Sequence, residues 1–318
     1  MKHLFIINPK AYQIKGRIND IIREIEVIFA GSSQFEYHIH ITRWKRDASG
    51  FARRYVYGVE KIVRIYAVGG TATLFEVING VIDLPNVQIA FWPFGRTNLF
   101  LQYFEADKRE HFHSLRNLIF SDVVSFDLIR CGNNYGICFG IIGLEALVAL
   151  HRYRIIEHAG ILSGLSDQIC FAIGAYYGLK RKGEQYYNVV IDGKQQYEKY
   201  ISLSAANQPF FTGNMRPASD AVPDDGLLDL YLIKCPPPLR LFAVMSDYIQ
   251  GNYHKWPQYI SHFRGKKISI SSEQVMLINL DGEYFYDTVI DCEVIPRAVD
   301  FVCPKPGVPY NRTRNDTP

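Results

Sequence analysis

A pair of adjacent glycines lies where the chain could bind phosphate. Gly69-Gly70 follows an apolar, β-rich run, Ile62–Val68, and precedes a segment in which apolar residues recur at helical spacing. Glycines at such a turn let the main chain approach a ligand closely, and the first amide groups of the helix point toward an anion. A tight turn without any ligand is the alternative that these two glycines alone leave open.

A second chemically competent group is the acidic pair Asp281 and Glu283, which follows the apolar run Met276–Leu280. Residues two apart in a strand project to the same side, so both carboxylates are expected to face one site. One of them could act as a general base on a hydroxyl group while the other orients it. A solvated Asp-Gly hairpin turn is the alternative interpretation.

A third candidate is the acidic turn Asp224-Asp225-Gly226. Carboxylate and main-chain carbonyl oxygens are the ligands that magnesium prefers. An ordinary turn, in which the Asp side chain bonds the local main chain, is the alternative.

The elements that must position these groups change in character near residue 127. Before that point, β-rich runs alternate with helical patterns, which predicts an α/β domain with a parallel sheet flanked by helices. After it, many short β-rich runs predict an all-β antiparallel sandwich. The first part has predicted strands at Leu4–Ile7, Phe35–Ile41, Ile62–Val68 and Gln88–Trp92, and predicted helices at Ile18–Phe29, Ala48–Tyr57 and Thr73–Ile82. The second part has predicted strands at Tyr135–Ile142, Tyr187–Ile191, Tyr200–Ala205, Leu228–Ile233, Lys267–Ser271 and Met276–Leu280, and an amphipathic helical pattern at Ala146–Leu179.

The composition is that of a globular protein. The chain has 318 residues, enough for two domains with their own cores, and 48% of them are hydrophobic and 21% charged. A net charge of +3 does not favour nucleic-acid binding. The six cysteines form no C-x-x-C pair, which argues against a zinc site and predicts reduced thiols. The amino terminus does not resemble a signal peptide and no apolar run is long enough to span a bilayer, so a cytoplasmic location is predicted.

Ordered matches along nearly the whole chain resemble the superfamily of diacylglycerol, sphingosine and NAD kinases. The stretch Gly69–Gly80 is similar to the family's GGDGT(L/I)NEV-NG segment, and Asn8-Pro9 is similar to its opening NP motif. Further matches are Thr42 before Asp47-Ala48, Pro93–Phe100 for P-x-G-T-x-N-D-F, Ala206-Asn207, Pro217–Asp229 for the block that contains DDG, and Asp281-Gly282-Glu283 for DGE. Among the branches of this superfamily, the chain most resembles the bacterial diacylglycerol kinases.

This resemblance implies two domains with the active site in the cleft between them. Residues 1–127, joined by residues from about 297 to 318, would form the nucleotide-binding catalytic domain. Residues 128–296 would form the β-sandwich domain that takes the lipid substrate. The implied reaction is ATP-dependent phosphorylation of a lipid hydroxyl group, such as that of diacylglycerol.

The resemblance also implies roles for single residues. Asp281 and Glu283 would be catalytic, and Mg2+ would bind the carboxylate of Asp225 and the carbonyl groups of Val222 and Leu227. ATP and Mg2+ are therefore the expected cofactors. The implied nucleotide-binding residues are Asn8, Thr42, Gly69, Gly70, Thr71, Ala72, Thr73, Glu76, Gly95, Arg96 and Asn98.

Several residues depart from the family pattern at the predicted nucleotide end. Thr71, Ala72 and Phe75 replace the Asp and Gly of GGDGT and the Asn of NEV, and Arg96 and Leu99 replace a Thr and an Asp in the second loop. A lost carboxylate should weaken binding of Mg2+, whereas the Arg96 guanidinium could bind phosphate directly. The alternative function is therefore a catalytically impaired protein that senses a nucleotide or a lipid, and an NAD-kinase-like enzyme ranks last.

The expected partner is a membrane lipid, met at the inner face of the membrane. Basic clusters and the amphipathic stretch Ala146–Leu179 could favour a peripheral contact with an anionic bilayer, although such clusters are often only solvated faces. No nucleic acid is expected as a partner, and a homodimer is left open. The basic clusters are Arg43–Arg46, Arg53-Arg54, His151–Arg154 and Lys180–Lys182.

Overall fold

The computed structural model describes residues 1–30, 35–95, 98–104, 106–158, 172–174, 176–177, 180, 183–211 and 215–304. The chain divides into two compact units. The first unit comprises Met1–Leu128 and the chain from Pro296 onward, and the second unit comprises Ile129–Ile295. The predicted domains change at 127/128 and 296/297, and the observed units change at 128/129 and 295/296.

The first unit is built on a parallel sheet. Its strands lie in the order β2-β1-β3-β4, and the last residues of β14 add a parallel strand beside β4. Every residue of β3 is buried, as expected for a central strand of a parallel sheet. The strands are β1 (Lys2–Ile7), β2 (Glu36–Ile41), β3 (Val63–Gly69), β4 (Val87–Pro93) and β14 (Glu283–Val302).

The helices of the first unit follow the predicted apolar spacing. In α1, the buried residues Ile21, Ile25 and Phe29 recur every four positions and form one face. The helices are α1 (Ile18–Ala30), α2 (Asp47–Val56), α3 (Thr71–Val81), α4 (Ala106–Arg109) and α5 (Leu115–Phe120), with 3-10 turns at Leu99–Tyr103 and Glu110–His113. The predicted α/β fold of this part is confirmed.

The second unit is the predicted antiparallel β-sandwich. The chain enters it along β5 (Val123–Cys131) and leaves it along β14. Its main sheet has the order β12-β11-β10-β7-β13-β14, with β8 pairing with β13 and β9, and β5 pairing with β6. The remaining strands are β6 (Asn134–Gly136), β7 (Phe139–Gly143), β8 (Gln185–Ile191), β9 (Lys194–Tyr200), β10 (Ser202–Ala206), β11 (Leu228–Ile233), β12 (Ile260–Gly265) and β13 (Lys267–Leu280).

Two predicted strand boundaries in this unit are wrong. The predicted strand Tyr135–Ile142 is broken at residues 137–138, where the main-chain N–H groups bond a side chain instead of a neighbouring strand. The two predicted strands Lys267–Ser271 and Met276–Leu280 are instead one strand, β13, whose pairing with β14 shifts register between Ser271 and Met276.

Among the described residues of the second unit, helices are formed by α6 (Leu144–His158) and α7 (Pro238–Ile249), residues 172–174 and 176–177 are also helical, and a 3-10 turn lies at Tyr253–Lys255. The predicted helical stretch Ala146–Leu179 begins within α6, and most of its remainder lies outside the described residues. Across the described part of the chain, the helices lack the length and apolar composition needed to cross a bilayer.

The prediction of reduced thiols is wrong for one pair of cysteines. Cys131 on β5 and Cys292 on β14 form a disulfide bond, although 161 residues separate them in the sequence. Cys138 and Cys303 are buried free thiols, and burial raises the pKa of Cys303 to about 12. The partner of Cys131 could not be identified from spacing, because the two strands are brought together only by the fold.

Helices α2 and α3 approach closely at a glycine. A Cβ atom added to Gly80 of α3 would lie 2.5 Å from the carbonyl oxygen and 2.8 Å from the Cα of Ser49 in α2. These neighbours are main-chain atoms, so they cannot move aside without shifting a helix. The missing side chain of Gly80 therefore sets the spacing of the two helices.

We expect Gly80→Ala to lower the free energy of unfolding by about 1–3 kcal/mol, because overpacking at the main chain exceeds the gain in helix propensity. Gly50→Ala in α2 is the matched control, since its Cβ would meet only the end of the Arg54 side chain at 3.3 Å. The control should be neutral or stabilising by up to about 1 kcal/mol. Urea denaturation measures both, and equal stability of the two variants would contradict the close-packing argument.

Candidate functional sites of the two units

The sequence-predicted nucleotide residues lie at one edge of the parallel sheet. Strands β1, β2, β3 and β4 end together there, since their last residues are paired in register: Ile7 with Ile41 and Val68, and Val68 with Trp92. Asn8, Thr42 and Gly70 follow their strand ends directly, and Gly95 lies two residues beyond the end of β4. This carboxyl edge is where open α/β sheets bind ligands.

Main-chain and side-chain hydrogen bonds join the loops at this edge. The Thr42 N–H donates to the Ile7 carbonyl (2.9 Å), and the Asn8 N–H donates to the Val68 carbonyl (3.0 Å). The Asn8 side-chain amide donates to the Thr73 hydroxyl (3.1 Å), and a Cβ on Gly69 would collide with that same hydroxyl. Asn8, Gly69 and Thr73 therefore hold the loop geometry.

The N-terminus of α3 is open to an anion. Gly70 caps the helix without a side chain, and the first turn carries no acidic residue. A Cβ on Gly70 would lie 3.3 Å from the Cα of Gly95, so the second loop passes close to the glycine turn. The helix dipole and the amide groups of such a first turn favour a phosphate.

The two departures Thr71 and Leu99 are in contact. The Leu99 N–H donates to the Thr71 hydroxyl (3.2 Å), which ties the glycine turn to the second loop. A neutral hydroxyl thus stands where the resemblance implies a carboxylate. The described residues 69–73, 93–95 and 98–99 contain no acidic side chain. Arg96, the predicted phosphate-binding cation, lies outside the described residues.

The remaining predicted nucleotide residues lie beside this turn. Asn98 donates its side-chain amide to the Gly95 carbonyl (3.4 Å), and within the described chain no donor reaches its buried Oδ1. Glu76 accepts the Arg46 N–H (2.9 Å) and so fastens α3 to the start of α2. Ala72 is exposed in the first turn of α3. The Asn98 oxygen is the one of these groups that would gain from a ligand donor.

In the second unit, the acidic pair spans a hairpin turn. Leu280 pairs with Glu283, and Asp281 and Gly282 between them have φ values of +50° and +96°. Positive φ at both positions is the geometry of a two-residue hairpin turn, for which Asp-Gly is favoured. The prediction that strand alternation places both carboxylates on one side is therefore wrong, because Asp281 is in the turn and not in the strand.

Asp281 is buried, unlike a residue of a solvated turn. Its carboxylate accepts the N–H groups of Ile137 (2.5 Å), Cys138 (3.0 Å) and Phe139 (2.9 Å). Burial raises the pKa of Asp281 to about 6, against the opposing effect of these three donors. Both carboxylate oxygens are occupied by main-chain donors, so the side chain holds the break between β6 and β7.

Glu283 is only half-buried at the start of β14. It is therefore the member of the pair with access to solvent and to a substrate.

The buried Asn207 completes the local structure, because its side-chain amide donates to the Ile137 carbonyl (3.0 Å). Asn207 belongs to a family-like motif that predicts no role for it, and the Ile137–Phe139 amide groups leave no signature in the sequence.

The predicted metal ligands Val222, Asp225 and Leu227 lie in the loop before β11. Asp225 accepts the Leu227 N–H on Oδ1 (3.0 Å) and pairs through Oδ2 with the guanidinium of Arg264. Burial raises the pKa of Asp225, and Arg264 opposes that rise. Within the described residues, no cluster of three or more His, Cys, Asp or Glu side chains could hold a metal ion. Both oxygens of the Asp225 carboxylate already have protein partners, so a magnesium ion would have to displace one of them, and the predicted magnesium site stays a prediction.

Two family models match the chain, and together they cover both units. Residues 2–131 match the diacylglycerol kinase catalytic domain, and residues 151–303 match the YegS C-terminal NAD kinase beta sandwich-like domain.

Individual relatives show the same similarity. Proteins named "Putative lipid kinase" in Staphylococcus aureus strains MRSA252 and Newman are each 28% identical over 249 residues, which covers 75% of this chain and 76% of theirs. A solved structure described as a diacylglycerol kinase from Bacillus anthracis strain Sterne has a TM-score of 0.69 at 18% identity and covers 96% of this chain and 98% of that chain. A second structure from that strain gives 0.71 at 20% identity, with coverage of 96% and 98%. At these identities the solved structures support the fold.

The burial of Asp281 predicts a dependence of stability on pH. Its pKa rises from 3.8 in the unfolded chain to about 6 in the folded one, so the folded chain binds the proton more tightly. The stability contributed by this group is fully present below the unfolded pKa and is lost as the pH rises toward 6. A shift of this size corresponds to a loss of at most about 3 kcal/mol.

Asp281→Asn cannot ionise and should not show this loss. Urea denaturation measures the free energy of unfolding from about pH 4.5 to about pH 7. As the pH rises, this free energy should fall for the native chain relative to that of the variant. Asp291→Asn is the matched control, because Asp291 is an exposed carboxylate on β14, the strand that follows the turn. Parallel pH curves for the native chain and Asp281→Asn would contradict the assignment.

Proposed function

The chain belongs to the bacterial diacylglycerol kinase family of lipid kinases, and on that premise we propose that it transfers the γ-phosphate of ATP to a hydroxyl group of a membrane lipid such as diacylglycerol. The observation that carries this proposal is the gathering of Asn8, the Gly69–Thr73 turn and Asn98 at the carboxyl edge of the first unit's sheet. The proposal assigns nucleotide binding to the first unit and activation of the acceptor to the second.

The donor side would bind ATP mainly through neutral groups. The amides at the N-terminus of α3 would hold phosphate oxygens, and the lack of a Cβ on Gly70 lets the Gly95 loop approach that turn. The Oδ1 of Asn98, which has no hydrogen-bond partner among the described residues, would accept a hydrogen bond from a hydroxyl or amino group of the nucleotide. Magnesium bound with ATP neutralises charge on its phosphates. In the absence of carboxylates in the described parts of these loops, the phosphates and water would supply its ligands.

On the acceptor side, Glu283 would be the general base. Its half-buried carboxylate would take the proton of the lipid hydroxyl, the oxygen would attack the γ-phosphorus, and ADP would leave. Asp281 would act as a positioning residue, because its two oxygens are already bonded to three main-chain amides. Its role is to hold the turn from which Glu283 projects.

The proposed acceptor requires a membrane, so we extend the proposal to a peripheral contact with the inner face of an anionic bilayer. Some of the basic residues have other partners. Arg53 bonds both carboxylate oxygens of Asp83 (2.6 and 2.8 Å) and so contributes less free positive charge than the sequence suggests. Assembly as a homodimer also stays a proposal, which light scattering of the purified chain would test.

The second candidate function is a nucleotide or lipid sensor without turnover. Thr71 and Leu99 favour it, because they replace two carboxylates of the family pattern with a hydroxyl and an apolar side chain, and the Thr71 hydroxyl is bonded to the Leu99 N–H. Under this alternative the chain binds ATP with intact loops but transfers no phosphate to any lipid.

We expect Glu283→Gln to lower the rate of phosphate transfer from labelled ATP to diacylglycerol in mixed micelles by about a hundredfold or more, because the base is lost. Glu273→Gln is the control, since Glu273 is an exposed carboxylate on β13 and should leave the rate unchanged. Full activity of Glu283→Gln would refute the role of Glu283. ATP binding by the native chain without transfer to any tested lipid would favour the sensor.

A second experiment tests the donor side alone. Thr71→Asp adds a carboxylate at the glycine turn, and Thr71→Asn is its neutral control of the same shape. Calorimetry should show that the Asp variant binds ATP more tightly than the Asn variant in magnesium and more weakly in EDTA, because the carboxylate binds the metal but repels bare phosphate. Identical responses of the two variants would argue that position 71 does not face the phosphates.

A further inference from the structure

The loop before β11 is paired with a cation from the neighbouring strand β12. Arg264 on β12 is paired with Asp229 on β11 in the antiparallel register, so the two side chains lie on the same face of the sheet. From that position the guanidinium pairs with Oδ2 of Asp225, while its Nε lies 3.6 Å from Oδ1 of Asp229. One side chain thus faces two carboxylates, one from the loop and one from the strand.

Asp225 has a second partner on its other oxygen, whereas Asp229 takes a second partner on the same Oδ1 and its buried Oδ2 has no hydrogen-bond partner among the described residues. Oδ1 of Asp225 accepts the Leu227 N–H (3.0 Å), which closes the turn onto its own main chain. Oδ1 of the fully buried Asp229 is 2.7 Å from Nε2 of His262, two residues before Arg264 on the same strand. His262 and Arg264 therefore provide the positive and hydrogen-bonding partners that this acidic loop needs.

We infer that the guanidinium of Arg264 takes the place of a divalent cation in the 222–229 loop, so that this loop folds without magnesium. Magnesium demands near-octahedral oxygen ligands at about 2.0–2.1 Å and an accessible carboxylate oxygen. At Asp225 it would have to compete with a positive charge that the sheet register fixes in place. The Arg264 guanidinium can replace a bound metal ion in this loop, because it neutralises the two carboxylates and joins the loop to β12.

The test uses the full chain without nucleotide or lipid, so its result does not depend on the proposed kinase activity. The thermal midpoint of the native chain should be the same in excess EDTA and in millimolar MgCl2. Arg264→Gln should lower the midpoint in EDTA by about 2–4 °C, the shift expected for losing one partly buried charge pair in a chain of this size. Arg240→Gln is the matched control, since it removes an exposed arginine from the same unit.

A double variant separates the ion pair from a general effect of Arg264. If the guanidinium acts through Asp225, Asp225→Asn should lower the thermal midpoint much less in the Arg264→Gln background than in the native chain. Strictly additive shifts would overturn the inference. A native chain whose midpoint rises with MgCl2, with the rise abolished by Asp225→Asn, would also overturn it, because the loop would then hold the metal itself.

Discussion

The second unit depends on one carboxylate that is held away from water by three main-chain amides. Those amides belong to the break between β6 and β7, where no neighbouring strand accepts them. Burying main-chain amide groups without acceptors would destabilise the folded state, and burying a carboxylate without donors would destabilise it more. The strand break and the buried Asp281 carboxylate therefore require each other. The contact leaves no room for a larger residue at Gly136, whose Cβ would collide with the Leu280 side chain and lie 3.2 Å from Asp281. The position of Glu283 follows from this closed arrangement.

The first unit uses main-chain amides in the opposite way, since it leaves them at an edge where a ligand can approach. In this chain, neutral hydrogen bonds join the loops at that edge. The Asn8–Thr73 and Thr71–Leu99 contacts keep the glycine turn and the second loop together without a carboxylate between them. The geometry for holding phosphate and the charge for holding a metal are therefore separate properties, and a chain can keep the first while it loses the second.

The parts of this fold that sequence could predict are those in which one residue's environment depends on its near neighbours. Strand β3 and helix α3 were predictable from local patterns. An uninterrupted apolar run is typical of a buried strand, and apolar residues at helical spacing are typical of a helix with one buried face. Strand β9 was not, since its residues are mostly polar and it is held by pairing with β8. The Asp281 amide contacts join residues 142 to 144 positions apart, the Cys131–Cys292 bond spans 161 positions and the Arg264–Asp225 ion pair spans 39, so no local sequence pattern could predict them. The family motifs identified Asp281 and Glu283 as a pair, but only the hairpin geometry distinguished the buried member from the accessible one.

Strand β14 has a consequence for the order in which the chain can mature during synthesis. Its last residues supply the strand beside β4, and the Asp300 carboxylate accepts the Ser125 hydroxyl (2.6 Å). These residues leave the ribosome only after the whole of Ile129–Ile295 has been made. Until then, the nascent first unit has an unpaired edge at β4, which is a template for pairing with other chains. Translation must therefore pass through a stage in which most of the first unit has been made but its final strand is still missing.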